Sequence, residues 1–183
     1  MSNLRSCPLT RRGFLAAAGL SVAAAHVSTV AAAAEAAAVP RHTVVQDQDG
    51  AKTYLLVFDK GQEVMGGLLA FAKKERLTAG SLSAIGAVGD AVLAYFDRKA
   101  REYKHIPVPG QAEVASLTGD VALVDGEPFF HVHAVLGLPD GSARAGHVLE
   151  AHVWPTLEVV LTAWSKRVRR SRDEETGLEL LDP

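Results

Sequence analysis

Apolar residues recur along this chain in two rhythms: short β-favouring runs broken by Gly, Asp and Pro, and one stretch at helical spacing. Tyr54 to Phe58 (YLLVF) reads as a buried strand that Asp59-Lys60-Gly61 stops. From Gln62 to Arg76 the residues Val64, Met65, Leu68, Leu69 and Ala72 repeat at helical spacing. Gln62-Glu63 at the start and Lys73, Lys74 and Arg76 at the end match the helix dipole. Gly66-Gly67 weakens this helix by about 1 kcal/mol per glycine, a sign of close approach to a sheet. Leu82 to Val88 and Ala91 to Phe96 read as two strands joined by a Gly89-Asp90 turn. Glu102 to Ile106 alternates as an edge strand ending at Pro107, and Glu113 to Val124 is a strand that Asp125-Gly126 turns into the next. The last apolar run, Thr156 to Trp164, is too β-branched to favour helix. Many strands with one or two helices and no internal repeat imply an α+β fold.

Candidate chemistry concentrates between Gly126 and His152, which holds four of the seven histidines. His131 and His133 are two apart in a strand, so both imidazoles leave one face. Leu138-Pro139-Asp140-Gly141-Ser142 reads as a three-residue hairpin loop, with Pro-Asp in a type I turn and Gly in the left-handed position. That loop puts Gly137 opposite Ala143, Val135 opposite Ala145 and His133 opposite His147. His131, His133 and His147 then form a triangle, while His152, of opposite parity, points away. Two histidines alone would more simply be ordinary strand residues; the third in register makes a metal site with an open fourth position the better reading. The opposite face carries Val132, Ala134, Leu136 and Val148, and the triangle's own face Val135, Ala145, Leu149 and Ala151. A hairpin apolar on both sides needs cover on both sides, one from the helix and one from a neighbouring subunit.

The N-terminus changes where this chemistry is expected to work. Arg11-Arg12-Gly13-Phe14-Leu15, followed by an uncharged run to Ala34, resembles a twin-arginine export signal, with Arg11, Arg12, Phe14 and Leu15 as its marks. Residues 1–38 are therefore expected to be a signal peptide, 39–53 a linker, 54–165 one domain and 166–183 a charged tail. Removal of the signal would leave about 145 residues in the periplasm or outside the cell. The sole cysteine, Cys7, would go with it, so neither a disulfide nor a thiolate ligand is expected. Residues 39–183 carry 16 Lys and Arg against 20 Asp and Glu, a net charge of −4 that offers no general attraction to phosphate. Lys166 to Arg172 holds five positive charges, but Asp173-Glu174-Glu175 follows at once and no aromatic residues interleave. There is no GxGxxG, Walker or nucleophile-elbow pattern.

Four ordered segments carry a family resemblance: Gly110 to Gly119, Pro128 to Ala134, Ala145-Gly146-His147-Val148-Leu149 and Pro155 to Val160. Together they resemble the PPC domain, the plants-and-prokaryotes-conserved domain, over about Tyr54 to Trp164. The resemblance implies an α+β domain with a mainly antiparallel sheet, a homotrimer and a histidine cluster able to hold a metal, matched here by His131, His133 and His147. The chain departs from the usual Gly-Gly-His by Ala145-Gly146-His147, which adds a methyl beside the site. The family's DNA-binding label comes from plant members that join the domain to an AT-hook, and no such segment occurs here.

The expected function is an exported, trimeric protein binding a divalent metal, with zinc favoured by three imidazoles and no thiolate. An open position on the ion would support hydrolase or lyase chemistry on a small molecule. Glu102, His105, Glu113 and Asp120 are the upstream polar residues available as base or as partners of the ligands. Two alternatives are a trimeric scaffold for a protein or small ligand with structural histidines, and a nucleic-acid-binding protein using Lys166 to Arg172.

Overall fold

Alternation of buried and open side chains carries most of the chain into strands in the computed structural model, which describes residues 37–182. The order is β1 (Arg41–Gln48), β2 (Ala51–Asp59), α1 (Val64–Glu75), β3 (Gly80–Asp97), β4 (Glu102–Val108), β5 (Ala112–Val124), β6 (Glu127–Gly137), β7 (Ala143–Ala163), β8 (Arg169–Arg172) and β9 (Glu179–Asp182). The result is a mainly antiparallel sheet with one helix; the sole parallel contact among the described residues joins β5 and β8.

Strands β3, β5, β6 and β7 pair in a closed circuit, β3 with β5, β5 with β6, β6 with β7 and β7 with β3. Their inward positions, among them Leu82, Leu93, Val121, Val132, Leu136, Val148 and Leu157, form one core with α1. The helix begins where the Glu63 carboxylate accepts the Met65 and Gly66 N–H groups, and ends where Arg76 turns left-handed at φ 55°. Its buried face presents Val64, Leu68 and Phe71. Gly67 passes so close to Phe58 that a Cβ there would lie 2.5 Å from the ring, so this glycine sets the distance of helix from sheet, whereas Gly66 lies against Glu63 and Ala37. Phe58 and Phe71 are fully buried, each contributing about 1.5–3 kcal/mol by leaving water.

Several local signals give way to long-range pairing. The segment read as a linker, 39–53, contains β1, which pairs with β2 from Arg41↔Val57 to Gln48↔Ala51. No turn forms at Gly89-Asp90, because β7 pairs with β3 on both sides of it, Val88↔Val153 and Asp90↔His152. Pro155 likewise lies inside β7 rather than before a new strand. The tail, 166–183, folds into the β8–β9 hairpin against β5. Ala151, expected on the histidine face, is buried in the core instead, since an irregularity in the β3–β7 ladder between Val92↔Glu150 and Leu93↔Val148 shifts parity at Leu149. The expected export signal lies outside the described residues.

Candidate metal centre

In β6 the residues Phe130, Val132, Ala134 and Leu136 point into the core, which turns His131 and His133 outward on the opposite face. The following loop closes as its sequence requires. Leu138 N–H donates to Ser142 O at 2.8 Å, Gly141 N–H donates to Leu138 O at 2.9 Å, and Gly141 takes φ 81°. Asp140 Oδ1 accepts from Ser142 N–H at 2.9 Å and from its hydroxyl at 2.6 Å. The register is Gly137↔Ala143, Val135↔Ala145 and His133↔His147. Three imidazoles from two strands therefore converge, with ring centroids 5.0, 5.2 and 5.5 Å apart.

These residues fit a metal ion. One nitrogen from each ring lies within 4.8 Å of the other two, and Nε2 of His131 is 3.1 Å from Nε2 of His133. Zinc–nitrogen bonds of 2.0–2.1 Å in a tetrahedron put ligand nitrogens about 3.3 Å apart. Nδ1 of His147 is buried with no hydrogen-bond partner among the described residues. Burial, reinforced by the other two rings and by Arg170, pushes the His147 pKa down to about 4. His131 is also lowered, first by burial and then by Arg170 and His133, with Asp120 opposing. Both rings are thus neutral near pH 7, the form with a free lone pair for a cation.

The neighbours of the cluster come from elsewhere in the chain. Tyr103 on β4 stacks on His147 at 5.1 Å, and Phe96 meets Tyr103 edge-on at 5.3 Å. Asp120 lies opposite His131 on β5, and its Oδ1 accepts from Arg170 Nη2 at 2.6 Å. Arg170 is buried, donates through Nη1 to Glu179 O at 2.8 Å, and lies over the Phe129 ring. Of the four polar residues considered upstream, Asp120 is the one brought beside a ligand. His105 is in one row with His147 across Ala94, two strands and about 10 Å away. Glu102 stands at the start of β4 opposite Asp97, and Glu113 opposite Gly137, at the hairpin end of β6. Tyr103 and Arg170 escaped the sequence reading. Tyr103 had a usable signal, its even spacing from His105 in an alternating strand; Arg170 had none, because it sits in a run of charge.

Within the basic run, Arg169 pairs with Asp182 at 2.9 Å and Arg170 with Asp120. His152 meets Asp90 Oδ1 at 2.8 Å; the parity reversal at Leu149 that buries Ala151 turns His152 to the outer face shared with His147, farther along β7, and not to the opposite face expected for it.

Fold and site together define a β-rich domain with a histidine cluster on its sheet. Residues 45–165 match the Plants and Prokaryotes Conserved (PCC) domain, and the chain belongs to that family. It is similar to a plant- and prokaryote-conserved protein of Pyrococcus horikoshii, at 31% identity and TM-score 0.68, covering 80% of this chain and 97% of that one. A metal-containing protein of Archaeoglobus fulgidus is 32% identical at TM-score 0.67, covering 80% of this chain and 99% of the other. A Bacteroides thetaiotaomicron protein proposed to bind DNA is 28% identical at TM-score 0.71, covering 77% and 96%. No curated protein matches significantly.

Proposed function

We propose that this chain is an exported member of the family that holds one divalent metal ion, zinc, on His131, His133 and His147, and works as a homotrimer. The observation that carries the reading is the convergence of three imidazole nitrogens, two of them neutral by burial, at ligand spacing. The metal-containing relative from Archaeoglobus fulgidus supports it. Three neutral donors leave the charge of a divalent ion uncompensated, so the centre favours an anionic further ligand. Once bound, such an ion supplies Lewis acidity and an acidified water. Around it, Asp120 is held by Arg170 next to His131, and Tyr103 covers one face of His147. Self-association is supported by Ile85 and Val160, exposed apolar residues on one sheet face. DNA binding draws no support from this chain's charge: residues 39–183 are net negative, and Arg169 and Arg170, two of the five cations in the basic run, are paired internally.

Metal analysis of the purified full chain tests the reading. One equivalent of zinc per chain is expected in the parent, falling below about 0.1 equivalent in His133→Ala, since loss of one of three protein ligands removes most of the affinity. Substoichiometric metal in the parent, unchanged by the variant, would instead favour a scaffold with structural histidines.

A further inference from the structure

The β8–β9 hairpin lies beyond the family-matched residues 45–165 and borders, with β4, an open surface cavity of about 430 Å³. That volume falls within the range of small-molecule sites. Its aromatic wall is the Phe96–Tyr103 pair, and Tyr103 is the same ring that stacks on His147. One side chain therefore borders both the cavity and the histidine cluster.

The cations of this region differ in how they are satisfied. Arg170 and Arg172 are two apart in β8 and leave the same face. Arg170 is neutralised by Asp120, and Arg169 on the other face by Asp182. Arg101, a second cation in the wall, donates to the Glu174 and Glu175 carbonyl oxygens, which stitches the hairpin turn to β4. Arg172 also lines the cavity and has neither an ion pair nor a side-chain hydrogen bond among the described residues. Its Nη2 lies beside Gly177, where a Cβ would stand 3.6 Å away. Glu102 and Glu174 reach the same cavity, are exposed, and form no ion pair with either arginine. An aromatic wall with an uncommitted guanidinium is the complement of a carboxylate on an apolar body.

We propose that the cavity between β4 and the β8–β9 hairpin binds a small carboxylic acid, its carboxylate on Arg172 and its apolar body on Phe96 and Tyr103. This recognition stands on the cavity alone and is independent of the metal reading above.

Calorimetric titration of the metal-free full chain with benzoate tests this, with benzamide as the neutral probe. Benzoate is expected to bind about tenfold or more tighter than benzamide, and Arg172→Gln to remove about tenfold of that affinity, with Arg172→Lys retaining part of it. The thermal midpoint of each variant reports that it is folded. Benzoate binding no tighter than benzamide, or equally tight in folded Arg172→Gln, overturns the carboxylate site.

Discussion

Each histidine of this protein is set by what its ring meets. His147 is half-buried against Tyr103 and kept neutral, whereas His152, five residues on, is raised by its hydrogen bond to Asp90 and by the nearby Glu150 and Glu63 carboxylates. Because the folded pKa of His152 lies above its unfolded value of about 6.5, the pair contributes fully below that pH. Its contribution fades as pH rises through the folded pKa. A double-mutant cycle of His152→Gln and Asp90→Asn, by urea unfolding, is expected to give a coupling of about 0.5–1 kcal/mol at pH 5.5 and near zero at pH 9. Equal coupling at both pH values would mean that the pair is held without charge. At this scale the triangle was legible, because Pro139-Asp140-Gly141 fixes the loop and the loop fixes which residues face each other. Arg170 was not, since nothing in its run of like charges separates the one buried guanidinium from its exposed neighbours.

Strands β3 and β7 show how an element overrides its own punctuation. A Gly-Asp pair and a proline, each a sound local stop signal, lie within strands of 18 and 21 residues because each strand is the other's partner across both sites. Close approach of these two strands also explains Gly146. A Cβ there would lie 2.6 Å from the Ala94 carbonyl oxygen, in the row that carries His147. Gly146→Ala is expected to cost about 1–3 kcal/mol by pushing β7 from β3, and to weaken zinc binding by displacing His147. Gly137→Ala, where the nearest atom to a new Cβ is 3.8 Å away, should be close to neutral in both measurements. Matching losses in the two variants would show that packing against Ala94 is not what keeps position 146 free of a side chain. The same long-range pairing explains the misplaced Ala151, as an irregularity at Leu149 reverses the parity that uniform alternation would have given it.

For the whole molecule, a closed circuit of strands around one core leaves the outer sheet faces to meet solvent or another chain. Ile85 is 63% exposed and Val160 46%; Ser83 lies opposite Val160, placing Ile85 and Val160 on one face. If this face joins the subunits of the proposed trimer, Ile85→Arg will convert a species with the mass of three chains into single chains, by light scattering after size exclusion, while the far-ultraviolet dichroism stays unchanged. A parent already monomeric would dispose of the trimer. Strand rhythm, the helix with its glycine pair and the register that gathers His131, His133 and His147 can be read from the chain locally, because they depend on spacings of two, three or four residues and on short turns. Long-range packing settles that β3 and β7 run unbroken, that the C-terminal charges fold into a hairpin burying Arg170 against Asp120, and that Tyr103 stacks on His147. Those outcomes depend on partners tens of residues away, whose gain in pairing and burial outweighs the local preference at each site.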